Sequence, residues 1–326
     1  MRVAVLSGGV GGAKFVRGLV DAVDPAGVTV IGNVGDDLVV LGLHVSPDLD
    51  SILYALADVN DEERGWGRED ETWNALESVR SLGGESWFQL GDRDLGLHLV
   101  RTQALRRGEA LSTVTERLAE ALGVEATLLP ATDDPLRTWI RTAAGRLPFQ
   151  EWYVARGHRD EVLGVEFEGA AEAEPAPGVV EALEEADAIL IAPSNPFVSI
   201  GPILAVEAIR AALEERRASA VAVSPLIGGR AVKGPADRML RGLAGGTAPA
   251  HVAVCYERLI DALVLDEQDV DGAADVEARG VRAIVTKTLM SDAAARRLLA
   301  ETAVAAASVA ASPPAATSGA RHRPRL

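Results

Sequence analysis

A glycine-rich turn near the amino terminus has the composition of a phosphate-binding loop. Residues 7–14 read Ser-Gly-Gly-Val-Gly-Gly-Ala-Lys, between a short apolar run and an amphipathic stretch. Glycine lets the backbone turn tightly and approach a phosphate, whose charge the N–H groups at the start of the following helix can bind. The segment is neither a Walker motif nor a regular dinucleotide fingerprint, because Lys14 has the wrong spacing and neighbours for both. Phosphate binding and a merely tight turn are therefore both consistent with it.

Four aspartates in two short segments have the oxygen chemistry of a divalent-cation site. Asp36 and Asp37 follow the second apolar run, and Asp48 and Asp50 lie at the start of a helical stretch. Mg²⁺ in proteins usually takes one or two carboxylates together with the phosphates of a substrate. The alternative is that Asp48 caps its helix and that the first pair lies in a solvated loop. The aspartates alone do not decide between a metal site and these structural roles.

A short motif before another helical stretch is dense in charged residues. Residues 90–94 read Leu-Gly-Asp-Arg-Asp, and the helical stretch after them carries His98 and Arg101. Charged groups with perturbed properties gather at functional sites, so this density favours a functional interpretation. The alternative is that an aspartate of the motif simply caps the helix.

Two loops that follow apolar runs combine small polar side chains with proline or glycine. Residues 192–196 read Ala-Pro-Ser-Asn-Pro, so two prolines stiffen the loop that carries Ser194 and Asn195. Short polar side chains on a stiff loop suit the recognition of a base or a phosphate. Residues 224–229 form the corresponding loop after the next run, and Lys233 beyond them could complete an anion pocket. Turn residues of this composition also occur in purely structural loops.

These segments need a regular scaffold, and the hydrophobic pattern predicts an α/β fold. Short Val/Ile/Leu runs recur between amphipathic stretches, as in strands that are buried on both faces of a parallel sheet. We expect a doubly wound, mainly parallel, Rossmann-like sheet whose ligands bind at the carboxyl ends of the strands. The predicted strands are residues 3–6, 28–31, 126–129, 188–192, 220–223, 252–255, 262–265 and 283–285. The predicted helices are residues 13–21, 50–57, 71–82, 95–106, 112–122, 202–217 and 292–306.

A change in the amino-acid pattern after residue 132 predicts a small inserted α+β lobe. Its sequence contains two β-like stretches, at residues 149–153 and 165–167, before a linker of small residues. The last 15 residues contain three prolines and end in an Arg/His cluster, so they are predicted to be a disordered tail. The predicted division is a Rossmann-like catalytic core at residues 1–132 and 179–311, the inserted lobe at residues 133–178 and the tail at residues 312–326.

Composition and charge exclude several classes of protein. The 326 residues are 48% hydrophobic and 25% charged, as in an ordinary globular chain. Acidic residues number 48 against 32 Lys and Arg, and the net charge of −16 argues against a nucleic-acid surface or a basic membrane anchor. The single Cys255 excludes a disulfide framework and a cysteine-rich metal site. Because no apolar run approaches the ~20 residues of a membrane span and no signal peptide is evident, we expect a cytoplasmic protein without membrane or nucleic-acid partners.

In their order along the chain, these segments resemble the 2-phospho-L-lactate transferase family, which acts in the biosynthesis of the deazaflavin coenzyme F420. The resemblance runs from Met1 to about Ala310. It is carried by residues 7–9, 46–50, 90–94, 149–152, 192–196 and 199–203. Three further segments are more similar to the actinobacterial branch, for which the resemblance implies an enolpyruvyl donor; they are residues 8–13, 33–37 and 65–67.

The resemblance implies a reaction. A guanosine diphosphate-linked three-carbon acid transfers its phosphate, with the acid attached, to the terminal ribityl hydroxyl of the deazaflavin Fo, and GMP leaves. Such a transfer requires little covalent participation by the protein, but the phosphate charge must be neutralised and the hydroxyl aligned. The resemblance therefore implies Mg²⁺ as cofactor, Fo and the guanylylated acid as small-molecule substrates, and a homodimer as the assembly.

The resemblance also implies roles for individual residues. Asp37 and Asp50 are expected at the centre of the metal site, with Asp36 and Asp48 as neighbours. Asp50 is also expected to contact Fo and to orient the attacking hydroxyl. The second expected catalytic residue is Arg93, near phosphate. The residues expected to bind the substrates are Gly11, Gly12, Asp50, Gln89, Asp92, Ser194 and Asn195, of which Gln89 is replaced by lysine in some relatives.

Two other functions are consistent with parts of the pattern. A nucleotide-dependent transferase with another acceptor would keep the glycine turn and the carboxylates, but it has no need of the whole series of loops. A non-enzymatic regulator that senses nucleotide sugars would bind nucleotide without an aspartate-rich metal site, so residues 36–37 and 48–50 argue against it. A hydride-transferring dehydrogenase is poorly supported, because the cofactor fingerprint fails at Lys14.

Overall fold

The computed structural model describes residues 1–308, in which strands and helices alternate. The strands are β1 (Val3–Ser7), β2 (Val28–Gly32), β3 (Leu38–Val40), β4 (Leu43–Val45), β5 (Thr127–Pro130), β6 (Arg137–Thr142), β7 (Gly145–Pro148), β8 (Gly164–Glu168), β9 (Ala188–Ile191), β10 (Ser219–Val223), β11 (Leu226–Ile227), β12 (Arg230–Ala231), β13 (Ala262–Asp266) and β14 (Arg282–Thr286). The helices are α1 (Gly9–Ala22), α2 (Pro47–Leu56), α3 (Asn74–Ser81), α4 (Asp92–Arg106), α5 (Leu111–Ala121), α6 (Val179–Glu184), α7 (Gly201–Ala205), α8 (Glu207–Glu214), α9 (Ala236–Leu243), α10 (Pro249–Cys255), α11 (Ala273–Glu277) and α12 (Ala293–Ser308). The predicted tail, residues 312–326, lies outside the described residues.

The central sheet is parallel and doubly wound. Its strand order is β14-β13-β10-β9-β1-β2-β5, and each neighbouring pair runs parallel. From β1 the chain adds strands on one side and then returns to add the rest on the other, so the order reverses between β1 and β9. Open α/β sheets bind their ligands outside the carboxyl ends of the strands at such a reversal. The predicted α/β fold with a mainly parallel Rossmann-like sheet is confirmed.

Burial explains why the central strands and the first helix form where they do. Every residue of β1, β9 and β13 is buried, which is the environment that continuous apolar runs indicate. In α1, Phe15, Val16 and Leu19 recur at helical spacing and face the core. The same helix packs against α2 and α12. Its Gly18 permits the close crossing with α12, because a Cβ there would collide with the backbone of Arg296.

Two predicted elements of the core differ from the structure, and a third, in the predicted lobe, is described below. Residues 252–255 are not a strand but the end of α10, whose first residue is Pro249. A four-residue apolar run does not distinguish a buried strand from the buried face of a helix, and proline is favoured at the first helical position. Residues 202–217, predicted as one helix, form α7 and α8 with a bend at Val206.

The bend between α7 and α8 also separates two apolar segments that would otherwise form one long helix. The segment Pro196–Ala205 and the helix Glu207–Glu214 meet at 92°. Among the described residues, these two pieces taken together are the only ones with the length and apolar composition of a membrane span. No single helix within residues 1–308 is long and apolar enough to cross a membrane.

A separate antiparallel sheet lies within the segment predicted as the inserted lobe. Its strand order is β7-β6-β8. Residues 149–153, predicted to be β-like, instead lead into a helical turn at Glu151–Ala155. Trp152 of this turn is buried against Ile140 of β6 and Met239 of α9. The lobe therefore shares a small hydrophobic cluster with an element that lies later in the chain, and the lobe boundaries stay a prediction.

Candidate functional site

A cavity of about 920 Å³ opens where the strand order reverses. Its wall is built from the segments that follow β1, β2, β9, β10 and β14, together with the start of α2, the residues before α4 and part of the predicted lobe. The predicted site residues that line it are Gly11, Asp36, Asp48, Asp50, Gln89, Ser194 and Asn195. Those that do not line it are Gly12, Asp37, Asp92 and Arg93.

The glycine turn brings the start of α1 close to the loop after β9. A Cβ on Gly11 would lie 2.8 Å from the carbonyl oxygen of Pro193, and one on Gly12 would lie 2.6 Å from the Ser194 hydroxyl oxygen. The Ser194 hydroxyl donates to the Gly8 carbonyl at 2.7 Å. Glycines at these positions therefore place the amino end of a 14-residue helix directly beside a serine- and asparagine-bearing loop. This arrangement offers backbone N–H groups to an anion.

Two lysines add positive charge to the same cavity. Lys14 of α1 and Lys233, in the segment between β12 and α9, both line its wall. Burial lowers the pKa of Lys233, and the nearby charge of Lys14 lowers it further. Two cations that repel each other across a cavity wall are stabilised by an anionic ligand. The net negative charge of the chain is thus compatible with a locally positive phosphate site.

Asp36 and Asp48 form a buried carboxylate pair. The Asn33 side-chain amide donates to Asp48 Oδ2 at 2.8 Å and to Asp36 Oδ1 at 3.4 Å, while Gln150 Nε2 donates to Asp36 Oδ2 at 2.9 Å. Burial raises the pKa of both carboxyl groups, to about 6 for Asp48, and the Asp48 charge raises the pKa of Asp36 further. Neither carboxylate forms an ion pair within residues 1–308. The pair therefore has the oxygen ligands and the unbalanced charge that suit a divalent cation.

Asp37, one residue further, is held in a different environment. Its Oδ2 accepts from the Ser46 hydroxyl at 2.7 Å and lies 2.9 Å from His44 Nε2. Burial raises the pKa of Asp37, whereas the bonds from His44 and Ser46 lower it. Its Oδ1 is buried and has no hydrogen-bond partner within the described residues. Asp37 thus stabilises the hairpin β3–β4 and the start of α2, and it does not itself line the cavity.

Asp50 lines the cavity but already has a cationic partner. Arg101 of α4 binds both of its carboxylate oxygens, with Nη1 donating to Oδ2 at 3.0 Å and Nη2 donating to Oδ1. His98 Nδ1 lies 3.7 Å from Asp50 Oδ2, and burial lowers the pKa of His98 to about 4. Within residues 1–308 no group of three or more His, Cys, Asp or Glu side chains has the arrangement of a metal site. The four predicted aspartates thus differ in their partners. Asp50 binds a cation and Asp37 binds Ser46 and His44, whereas Asp36 and Asp48 have no cationic partner among residues 1–308.

The Leu-Gly-Asp-Arg-Asp motif is divided between structural and cavity-facing residues. Asp92 accepts from the Thr72 hydroxyl, the Asn74 side chain and the backbone N–H groups of Asn74 and Ala75, so it fixes the start of α3. These bonds lower the pKa of Asp92 to about 2. Arg93 is exposed, and its backbone N–H donates to Glu71. The structure thus gives Asp92 a capping role, but at α3 and not at the helix α4 that follows the motif, for which the sequence predicts such a cap as the alternative.

Replacing Asp92 by alanine is expected to lower the melting temperature without weakening the binding of GDP, the nucleotide that the family resemblance implies. Because the pKa of the folded-state carboxylate is depressed, its stabilisation is present above the unfolded value of about 4 and is lost as the pH falls toward about 2. The difference in melting temperature between wild type and variant should therefore shrink over that range. Thermal unfolding between pH 7 and pH 2.5 and GDP calorimetry at pH 7 test this. Weakened GDP binding with an unchanged melting temperature would contradict it.

Three residues of the wall, Tyr54, Asp94 and Gln150, have no role that the sequence predicts. Asp94 lines the cavity and accepts a hydrogen bond from the Tyr54 hydroxyl at 2.7 Å; burial raises the pKa of Asp94 to about 6, against the lowering effect of that bond. Gln150, which donates to Asp36, belongs to the Phe-Gln-Glu-Trp segment that contributed to the family resemblance. That segment was the only sequence signal for Gln150, and nothing in the local sequence indicates the pairing of Tyr54 with Asp94.

Comparison with known proteins identifies the family. The model of the 2-phospho-L-lactate transferase CofD family matches residues 3–298. This chain belongs to the CofD family. A phosphoenolpyruvate transferase of Kitasatospora aureofaciens is 44% identical over 310 residues, which cover 93% of this chain and 97% of that protein. A 2-phospho-L-lactate transferase of Methanosarcina acetivorans is 38% identical over 297 residues, which cover 91% of this chain and 96% of that protein. The predicted membership is confirmed.

Solved structures extend the likeness of this CofD-family chain to a more distant fold relative. A crystal structure of a protein from Bacillus halodurans has a TM-score of 0.63 and 18% sequence identity, and the match covers 93% of this chain and 99% of that one. At this identity the likeness concerns the fold alone. The arrangement of the cavity must therefore be interpreted from the side chains of this CofD-family member itself.

Proposed function

We propose that this protein transfers a phosphoenolpyruvyl group, or a 2-phospho-L-lactyl group, from a guanosine diphosphate-linked donor to the deazaflavin Fo in the biosynthesis of coenzyme F420. The observation that carries the proposal is the meeting of the glycine turn and the Asp36–Asp48 pair in one cavity at the strand reversal. Family membership and the names of the relatives support the same reaction class. Relatives named phosphoenolpyruvate transferase, one of them 44% identical, favour the enolpyruvyl donor.

The chemistry is a displacement at phosphorus. The terminal ribityl oxygen of Fo forms a bond to the donor phosphorus that carries the three-carbon acid, while the bond from that phosphorus to the bridging oxygen of GMP breaks. The hydroxyl loses its proton, and GMP leaves with the negative charge on its phosphate. The protein contributes by binding and alignment. The amino end of α1, with Gly11 and Ser194, would bind the diphosphate, and Asp50 would orient the hydroxyl from the adjacent wall.

The residues of the cavity fit a magnesium ion at one position. Asp36 and Asp48 would hold it, because they are buried oxygen ligands without a cationic partner in the described part of the chain. Mg²⁺ needs only one or two protein carboxylates when substrate phosphates complete its coordination. When bound, such an ion neutralises charge on diphosphate oxygens. Asp37 and Asp50, expected at the centre of this site, already bind Ser46 and Arg101.

Release of GMP tests the proposed function. Purified protein with Mg²⁺, Fo and the enolpyruvyl donor should release GMP and form a deazaflavin that carries the three-carbon acid, measured by chromatography and mass spectrometry. The same assay with the lactyl donor compares the two donors directly, and omission of Fo tests for another acceptor or simple hydrolysis. The Asp50→Asn variant should release GMP much more slowly and should also melt at a lower temperature, because the buried Arg101 guanidinium then loses its charged partner. Absence of GMP with both donors would refute the transferase function.

Cellular location and assembly complete the proposal. We expect the protein to act in the cytoplasm, where Fo and a guanylylated acid are small soluble substrates, and to form a homodimer. Size-exclusion chromatography with light scattering measures the assembly. The outcome of the GMP assay does not depend on it.

A further inference from the structure

A buried arginine holds one of the carboxylates that line the cavity. Arg101 and Asp50 are 51 positions apart, on α4 and α2, and the guanidinium binds both carboxylate oxygens. The Arg101 side chain is 1% exposed and Asp50 7%. Although burial lowers the pKa of Arg101, the Asp50 charge raises it and the net effect is a rise. A permanent cation therefore lies behind Asp50, which itself lines the cavity while Arg101 does not.

Stability alone gives little reason for this arrangement. Removing two charges from water is costly, and well-packed hydrophobic residues of similar volume are often at least as stable as a buried ion pair. Arg101 Nε is buried without a hydrogen-bond partner within the described residues, which adds to that cost. The backbone N–H of Ser46 also donates to Asp50 Oδ2, at 3.3 Å. Several groups thus act together to fix one carboxylate in one orientation.

The fixed carboxylate differs chemically from the neighbouring acidic pair. Asp36 and Asp48 have no cationic side chain bound to them among residues 1–308, whereas the charge of Asp50 is balanced by the guanidinium. A carboxylate has about four lone-pair sites, so Asp50 can still accept a hydrogen bond from a neutral hydroxyl. Its attraction for a second cation is reduced by the positive charge of Arg101.

We infer that Arg101 is a positioning residue, which fixes Asp50 as the hydrogen-bond acceptor for the attacking hydroxyl and keeps Asp50 separate from the carboxylate pair Asp36–Asp48 that would bind the cation. The inference rests on the proposed function, because the hydroxyl is that of Fo. It assigns the two acidic segments different tasks. One pair faces the donor phosphates, and the Asp50–Arg101 pair faces the acceptor.

The test is Arg101→Lys, which keeps the positive charge but cannot bind both carboxylate oxygens. A hydrogen bond to a charged group is worth about 1.5–3 kcal/mol, so if misplacement of Asp50 loses its bond to the hydroxyl, the dissociation constant for Fo, measured by deazaflavin fluorescence, should rise by about 10- to 100-fold. The dissociation constant for GDP and the Mg²⁺ concentration for half-maximal activity should stay unchanged. Arg216→Lys is the matched control, because Arg216 is 9% exposed and pairs with Asp261 away from the cavity. It should change the melting temperature but not Fo binding.

A double variant separates positioning from a purely structural role. If Arg101 acts through Asp50, then Arg101→Lys in the Asp50→Asn background should weaken Fo binding no further. Wild-type Fo affinity in Arg101→Lys, or equal losses of Fo and GDP affinity, would overturn the inference. Should Arg101→Lys fail to fold, Asp50→Asn/Arg101→Gln is compared with Asp50→Asn, and unequal Fo affinities would overturn it. If wild type binds Fo and releases GMP, only the role of Arg101 is refuted by these results; if it does neither, the proposed function fails first.

Discussion

Asp48→Asn is expected to lower GMP release by about a thousandfold if Asp36 and Asp48 hold the proposed Mg²⁺, since such an ion contributes several kcal/mol to catalysis and each 1.36 kcal/mol corresponds to tenfold. The carboxylate is 7% exposed and shares the Asn33 amide with Asp36. Asparagine keeps the shape and one acceptor oxygen but removes the charge that would hold the cation. The loss should therefore appear in turnover and in Mg²⁺ dependence rather than in folding.

The stability of Asp48→Asn gives the second half of this prediction. Burial raises the pKa of Asp48 to about 6, so the ionised carboxylate costs the folded state free energy at neutral pH. Removing the charge should raise the melting temperature of the metal-free protein, and added Mg²⁺ should stabilise wild type but not the variant. A lower melting temperature with retained Mg²⁺ stabilisation would show that Asp48 is structural.

Asp266→Asn is the matched control for Asp48→Asn. Asp266 is also buried, but it accepts hydrogen bonds from the backbone N–H and hydroxyl of Thr288 and from the N–H of Gln268. Although burial raises the pKa of Asp266, these bonds lower it and the net effect is a fall. This variant should melt at a lower temperature but keep its stabilisation by Mg²⁺, and it should lose less GMP release than Asp48→Asn even though its partner Thr288 lines the cavity. The two substitutions thus have opposite expected effects on stability and different effects on Mg²⁺ dependence.

The position of the site could be predicted from the sequence because it depends on the sheet. Strands such as β1 and β9 are buried on both faces and appear as continuous apolar runs, and their carboxyl ends meet at one edge. The glycine turn and the loop with Ser194 and Asn195 each directly follow one of these runs. Their convergence follows from topology without knowledge of any side-chain contact.

The partners of the charged residues could not be predicted in the same way. Asp36 and Asp37 are adjacent, and the backbone turn after β2 decides which of them faces the cavity. Asp50 and Arg101 lie 51 positions apart, so the residues around Asp50 do not reveal its partner. An aspartate that binds a metal and one that pairs with a distant arginine can therefore have the same local sequence. Asp92 is equally ambiguous, because a capping aspartate and a substrate-binding aspartate precede helices in the same manner. Long-range packing decides each case.

Gly11→Ala is expected to weaken GDP binding by about a hundredfold, because displacement by about 1 Å can cost that much at an aligned site. The added Cβ would lie 2.8 Å from the carbonyl oxygen of Pro193, a backbone atom that cannot rotate away. Either the start of α1 or the loop that carries Ser194 and Asn195 must move. Overpacking of this kind costs about 1–3 kcal/mol, so the melting temperature should also fall.

Gly96→Ala is the control that isolates the contact at Gly11. Gly96 also lies inside a helix, α4, but a Cβ there has no other atom within 4 Å. Because alanine is favoured over glycine in helices by about 1 kcal/mol, Gly96→Ala should stabilise the protein and leave GDP binding unchanged. The same helical preference acts at Gly11, so a loss of stability there would come from the collision with Pro193. Calorimetry with GDP and thermal unfolding measure both effects, and wild-type GDP affinity in Gly11→Ala would show that the close approach of α1 and this loop does not form the donor site.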